Sequence, residues 1–538
     1  MRFLIIFVLF CASLIGQSKP TMPIFEEEQR PIEWTELIPS QDTIQYFVDN
    51  AIGDDSFNGR SPWVLGNGVG PKRTIQAGYN ALRDGYPDFL FIKRGQTFNE
   101  NIEWNKSGRS NTERMVISAY QNELHLPRPV IVPTYAAIFH FRNYQGFSNV
   151  NIMSLDIKNP SYNPATNSSL CGFTLLGTFN NLLIEDVRTT GMGGGINLYD
   201  PNGVAGQPGD NVVLRRCVIV DAFKGPSVGH SQGMFTTGHR MVIEECLFDH
   251  NGWTDSDLST QTIFNHNIYV SHSGIVPITF RNSISARASS HGGQFRTGGI
   301  IDNNLFYQNP LSILIGSSQS TVPPNPSVVS NNIVLDSHDI FTNPRGNALD
   351  IVGGSNHLVV NNLFKDRLTG SGQPCVSISG SFFPVRNLNL TRNIISNWRS
   401  QSFYFSGNAG SVNQVIFRQN EIYEPLSQLI MDGPAYPQTT LSLYNKYYNP
   451  ATQPFLVNGA YRTPTQYFSL VGDVGSTYST TVPVLQSVSL DTYYNTLRNT
   501  NTGAVGFLTE ARENRKGNWD PALTSWAVNN YIRAAYGR

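Results

Sequence analysis

Apolar positions recur along this chain in a short β-type phrase between about residue 150 and residue 425, often two small or Asn residues followed by two apolar ones. The phrase reads Ile184–Val187, Leu214–Val218, Ile243–Leu247, Phe280–Ile284, Ile301–Leu305, Val329–Ile333, Val359–Leu363 and Leu390–Ile394. Its last apolar residue falls at 187, 218, 247, 284, 305, 333, 363 and 394, a step of about 30 residues. Such a step predicts one turn of a parallel β-solenoid, three short strands joined by turns, with loops absorbing the longer steps. The residue before the marker adds a physical reason. Asn304, Asn332, Asn362 and Asn393 share one offset, so they are expected to stack coil on coil, bonding amide to amide while their backbone takes the left-handed bend. Cys217, Cys246 and Ser283 continue the column as small, buryable groups. A leucine-rich horseshoe has shorter steps and a leucine pattern absent here, and a β-propeller needs antiparallel blades. The expected fold is all-β, a single right-handed parallel β-helix spanning residues 45–450.

The ends read differently. Tyr46 to Asp55, then Thr74 to Leu82 with helical apolar spacing, then Asp88 to Phe98 predict strand, helix, strand. This opening resembles the amino-terminal capping coil of the pectin-lyase-like superfamily of right-handed parallel β-helices. Residues 451–538 lose the phrase, and Pro521 to Tyr536 predicts a terminal helix, so an irregular carboxy-terminal cap over the last open coil is expected. Arg2, the apolar run Phe3 to Ile15 and the small or polar residues Gly16 to Ser18 have the layout of a secretory signal peptide over 1–17, ahead of an extension over 18–44. That run is shorter than the roughly 20 residues a spanning helix needs, so a secreted protein, extracellular or periplasmic, with no membrane anchor after cleavage is expected.

Lys+Arg 38 against Asp+Glu 39 leaves a net charge of -1, which provides no basic field for nucleic acid. Only 14% of residues are charged, a composition suited to stacked strands and polar turns. Beyond Cys11, the cysteines Cys171, Cys217, Cys246 and Cys375 are too scattered for a disulfide framework or a zinc site. The sequons at Asn105, Asn167 and Asn389 matter only on a eukaryotic secretory route.

Candidate chemistry gathers between successive phrases. Three consecutive coils open this intervening strand with His230, His266 and His291. If Ile196, Leu198, Ile268, Val270, Ile313 and Ile315 point inward, then Asn197, Tyr199, Asn267, Tyr269, Gln294 and Arg296 form a polar, aromatic-bearing outer strip. The histidines share the inward parity, which leaves two readings open: backbone-bonded groups capping the strand, or groups at the bend that reach the strip. Three residues after the marker, Asp221, His250, Arg287 and Gln308 form another column. Gathered cations without a partner are costly, which points to an anionic ligand.

An acidic, uronate-containing polysaccharide fits, because elimination needs a neutralised carboxylate, a base for the C5 proton and an acid for the leaving oxygen. Arg287 or Arg296 suits the first role, His266 or His291 the second, and Tyr269 the third, or the second if deprotonated. His230, His250, Asn197, Tyr199, Asn267, Gln294 and Asp221 are the candidate substrate contacts. The resemblance implies polysaccharide lyases, hydrolases or epimerases. No lysine-plus-arginine pair or calcium-binding aspartate cluster stands out, so no cofactor is required by the sequence and Ca2+ stays open. A hydrolase would draw on Glu244, Glu245, Asp249, Asp255 or Asp257, and a surface or virion-associated adhesin would bind glycan without cutting it. A transition metal on the histidines ranks lower, since coil spacing makes a row and not a closed coordination sphere.

Overall fold

Each turn of the chain lays one strand in each of three sheets, so strands three apart in sequence become neighbours. Among the described residues the first sheet has 15 strands, from Gln45–Val48 to Thr440–Leu443, and the second and third have 14 each. Among the described strands of these sheets, pairing is parallel except in the hairpin Phe455–Val457 with Ala460–Arg462. This is a right-handed parallel β-helix, the hand that strand twist favours for parallel crossovers. The structure, a computed structural model, describes residues 33–538 except 143, 167, 205, 226–227, 272–275, 318–322, 341–342, 368–369, 371, 381, 409, 425, 428, 434–435 and 438–439. The expected signal peptide over 1–17 lies outside the described residues. Residues 39–538 form one compact unit, and none of the described helices is long and apolar enough to cross a membrane.

One coil shows the construction. His239–Glu244 belongs to the first sheet; Glu245 turns the chain in the left-handed region with φ 54°; Leu247–Asp249 belongs to the second sheet; His250 turns again with φ 60°; His266–Val270 belongs to the third. Inward residues such as Ile243, Phe248 and Ile268 join their equivalents above and below in one continuous core. Both faces of a parallel sheet must be covered, and the interior covers one face of all three.

The asparagine column runs along this interior. Nδ2 of Asn304, Asn332, Asn362, Asn393 and Asn420 each donates to Oδ1 of the next asparagine, at 2.9, 3.0, 3.0, 3.1 and 3.0 Å, ending on Asn445. Each Oδ1 also accepts a backbone N–H of the coil before it, as Asn332 does from Asn304 at 3.0 Å. Cys217, Cys246 and Ser283 continue the file: Cys246 Sγ accepts from Cys217 N at 3.4 Å, and Ser283 Oγ from Cys246 N at 3.0 Å. These thiols are buried and free. Two expectations change. The left-handed residue is the one before the ladder asparagine, as at Asn303, Asn331 and Asn361 with φ 51°, 56° and 57°, so bending and stacking fall to neighbouring residues. Val187 is no marker either, since Arg188 pairs with Val218 and Val187 sits in the column of Cys217.

At the amino-terminal end, helix Ile75–Ala81 is capped by Thr74, whose hydroxyl accepts from Ala77 N, and it packs on Val48 and Leu90. A Cβ on Gly78 would come within 2.6 Å of Leu90 and 2.8 Å of Val48, so glycine lets the helix seat. The repeat does not stop at residue 450, because Thr477–Ser479 still pairs with Lys446–Tyr448. After it, helices Leu490–Arg498, Gly503–Ala511 and Ser525–Ala534 do not simply close the last coil. They lie along the outer face of the second sheet, where Leu490, Phe507, Leu508, Val528 and Ile532 pack on Val218, Leu247, Ile284, Leu305 and Ile333. The apolar marker residues thus face outward, and the carboxy-terminal helices are their cover.

Two outcomes follow for stability. Asn332→Ala strands the amides of Asn304 and Asn362 and the carbonyl of Ile301, so it should cost about 3 kcal/mol or more, whereas Asn331→Gly, at a left-handed turn, should cost under about 1 kcal/mol. Denaturant unfolding followed by circular dichroism checks both. Arg512→Met should speed proteolysis of residues 480–538 while leaving far-ultraviolet dichroism of the sheets unchanged, because Arg512 ties that segment to Asp221 and Asp249.

Candidate functional site

The third sheet carries the outer strip, and its register decides which residues meet. Gln232, His266, His291, Leu311 and Asn347 share one row, and Phe235, Tyr269, Gln294, Leu314 and Asp350 share another. His230 is therefore not stacked on His266. It lies two residues earlier in an exposed loop, beside Phe264 at 5.0 Å between ring centroids, and Gln232 takes its place.

Strict alternation also fails at this strand. Asn267 and Ile268 both point inward: Asn267 is fully buried, donates to Ala286 O at 2.8 Å and Ser285 Oγ at 3.0 Å, and accepts from Asn251 Nδ2 at 2.9 Å. Asn267 is thus part of the scaffold and not a substrate contact. Neighbouring coils place Gly233 and Gly292 here, where a Cβ would approach Asn251 Nδ2 to 2.7 Å and Asn309 Nδ2 to 2.8 Å. The extra inward residue reverses the parity, so His266 sits on the outer side with Tyr269, ring centroids 5.4 Å apart.

His266 and His291 meet at 3.0 Å between their Nδ1 atoms, 3% and 4% exposed. His266 Nδ1 also faces the backbone N–H of His291 at 3.4 Å, and His291 Nε2 faces Gln294 Nε2 at 3.5 Å. The network assigns His291 as the Nδ1–H tautomer and His266 as Nε2–H, with His266 Nδ1 accepting and His291 Nε2 left to accept from Gln294. Burial, then Arg296, His230 and Arg345, push His266 down to about 3; burial and then His266 hold His291 well below the usual imidazole range. Both rings are neutral at ordinary pH.

Arg296 follows strand His291–Phe295; burial lowers its pKa, against the opposing influence of the neighbouring Tyr269 and Asp350. Arg345 precedes strand Asn347–Val352 and is likewise lowered by burial. Both act on both imidazoles and on Asp350. Asp350, one coil beyond Leu314 in the outer row, has its pKa raised by burial. Among the described residues, no acceptor reaches the buried Arg296 Nε and Nη1 or Arg345 Nε. The strip thus combines a half-exposed phenol, two neutral imidazoles beneath it and two arginines with donors to spare. Asn197 and Tyr199 lie on the same face, Asn197 donating to Cys171 Sγ at 3.3 Å and Tyr199 touching Tyr144 at 6.4 Å between ring centroids.

Arg287, His250 and Asp221 do not join this strip. They are the left-handed residues of the second turn, with φ 48°, 60° and 56°, which explains why they recur at one offset. Arg287 Nε and Nη2 donate to the buried Asp249 at 2.8 and 2.6 Å, so this cation already has its anion. His250 Nδ1 bonds Asp221 at 2.9 Å and its ring lies 4.3 Å from Trp253. Burial opposes ionisation of Asp221, yet the His250 bond and Arg512 hold its pKa below the usual carboxylate range. Asp221 fastens the carboxy-terminal segment through Arg512, while Arg287 and His250 bond the acids Asp249 and Asp221 that Arg512 also holds. The hydrolase candidates are engaged too: Glu244 between Arg215 and Arg281 at 2.6 and 2.9 Å, Glu245 on Arg216 at 2.6 Å, Asp249 on Arg287 and Arg512, Asp255 facing His250 at 3.4 Å, and Asp257 capping Ser259 at 3.0 Å. Among the described residues, no cluster of three or more His, Cys, Asp or Glu is placed to hold a metal ion.

Sequence reasoning missed Asp350 and Arg345. Asp350 carried a signal, an acid between the inward Leu349 and Ile351 in the coil after next from Gln294. Arg345, in a loop, carried none.

No known family profile matches this sequence, and no curated protein matches it. Solved structures with similar folds include a mannuronic acid specific polysaccharide family 6 lyase from human gut microbiota, 13% identical over 85% of this chain and 96% of that one, TM-score 0.48. The pre-mature gene product 12 of bacteriophage phi29 is 12% identical over 76% and 55%, TM-score 0.48. A GH136 lacto-N-biosidase from Eubacterium ramulus is 11% identical over 81% and 67%, TM-score 0.37. The architecture itself rests on the strand pairing above, which makes the chain a parallel β-helix.

Proposed function

We propose that this chain is a secreted, carbohydrate-active β-helix that binds an acidic polysaccharide along the outer face of its third sheet and cleaves it by β-elimination at a uronate. The observation that carries this reading is the pairing of Tyr269 with Arg296, where arginine donors lack acceptors among the described residues. A carboxylate is the partner such donors fit, and Arg345 adds a second cation to the same field. The Phe3 to Ile15 run supports export.

Arg296 and Arg345 take the uronate carboxylate and acidify the C5 proton. Tyr269, as its phenolate, takes that proton. The C5–H electrons form the C4=C5 bond, the C4–O bond breaks, and the new phenol returns the proton to the leaving oxygen. His266 and His291 are too deeply covered to touch the sugar; as neutral rings they support Tyr269 from beneath without adding charge. Hydrolysis fits less well. The next acid in the outer row, Asp432, is three coils from Asp350, or about 14 Å, beyond the roughly 5 to 9.5 Å that two-carboxylate hydrolysis uses.

Purified protein incubated with alginate, pectin, heparinoid and ulvan should give the ultraviolet absorbance of an unsaturated uronyl product on at least one. Reducing ends without that absorbance mean hydrolysis, and retention with neither means binding alone. Tyr269→Phe and Arg296→Met should each lower kcat/KM by about 100-fold or more, whereas Arg287→Met should leave it within about threefold, since Arg287 serves Asp249. The imidazoles give a pH signature. His266 has a folded pKa of about 3, below the unfolded value of about 6.5, so its contribution is present above about pH 6.5 and is lost as pH falls towards 3. His266→Gln should therefore flatten the fall of stability across that window, read from denaturant midpoints at successive pH values.

A further inference from the structure

A cluster of aromatic rings lies partly exposed on the outer face of the third sheet, uncovered by any other element among the described residues. Tyr135 and Phe141 are 39% and 37% exposed, flanking the half-exposed Phe139 on strand Ala136–His140. Phe139 and Phe141 lie 5.3 Å apart between centroids with their planes tilted by 35°, turned much the same way, while Tyr135 stands edge-on to Phe139 at 6.1 Å. Exposed rings gathered like this leave apolar area in water and mark a contact surface.

We propose that Tyr135, Phe139 and Phe141 form a stacking platform for pyranose rings of the same glycan chain, upstream of Tyr269. The inference rests on the glycan reading above and adds where, and over what length, the chain is held. Phe139 belongs to the outer row of Tyr269: it pairs with Thr174, Thr174 with Asn197, Asn197 with Phe235 and Phe235 with Tyr269. Four steps at about 4.8 Å place the platform about 19 Å from Tyr269, roughly four sugar units at about one per coil. The surroundings suit a sugar better than an apolar protein surface. Thr174 and Asn197 interrupt the aromatic face on the way to Phe235, and the platform is rimmed by the Arg142–Glu103 pair at 3.2 Å and by Asn101, which donates to Thr134 at 2.8 Å. A pyranose offers an apolar C–H face to rings and hydroxyls to such polar neighbours.

Affinity electrophoresis and calorimetry with alginate and polygalacturonate, and with oligomers cut from them, test this using wild type and the Phe139→Ala/Phe141→Ala double variant. Wild type should bind oligomers longer than about four units roughly tenfold tighter than shorter ones, and the double variant should lose that preference while binding short oligomers unchanged. Tyr135→Ala, in the segment before the strand, should give a partial loss and guards against misfolding of the double variant. If the double variant keeps the length preference, the platform is wrong and the glycan reading stands. If wild type binds no oligomer or polymer, the glycan reading fails and the platform with it. A wild-type dimer that the alanine changes dissociate, seen by sedimentation, would make the cluster a self-association face and overturn the proposal.

Discussion

The structure depends on keeping successive coils in register. Parallel strands give each coil its backbone bonds, but a sheet alone could slip by a residue and turn its inner face outward. The buried asparagine file removes that freedom. Each Oδ1 accepts from both the side chain and the backbone of the coil before it, so a slip would strand several buried polar groups at once. Where the file changes to Ser283, Cys246 and Cys217, a hydroxyl and then a thiol take over as acceptors of the same backbone N–H.

That register is what assembles the strip on the third sheet. Tyr269, Gln294 and Asp350 are far apart in sequence, yet pairing sets them in one row, with Arg296 after one strand and Arg345 before another two coils further on. The inward bend at Asn267 and at the equivalent glycines then turns His266 outward beneath Tyr269. The same construction fixes the electrostatics. Covered by the rings and loops around them, the two imidazoles stay neutral, and the positive field of the strip comes from the arginines alone.

Much of this fold was legible because a solenoid repeats its constraints. The coil step, the asparagine column and the third-sheet strands could be read from spacing, since every coil must solve the same turn and the same core position. The outward-facing marker residues held a further clue: apolar side chains on both faces of the short second-sheet strands require a cover, and residues 490–534 supply it. The site was only half legible. Tyr269, Gln294 and Arg296 follow from alternation, but alternation fails where two residues in succession point inward, which misdirected Asn267 and the histidines. Arg287, His250 and Asp221 misled for a related reason: a left-handed turn recurs in every coil and collects polar residues whatever the function. Ion pairs with Asp249 and Arg512 join elements too distant in sequence for spacing to reveal.

The central claim is that the outer face of the third sheet holds an acidic glycan lengthwise. Hydrogen exchange of the Tyr269→Phe protein with and without polyuronate measures it most directly. The account predicts slowed exchange in Gln232–Thr237, His266–Val270 and His291–Phe295 and in the loops beside them, with no change in the first-sheet strands. Protection confined to the first sheet or to residues 480–538, with the third sheet unaffected by a bound polymer, would contradict it.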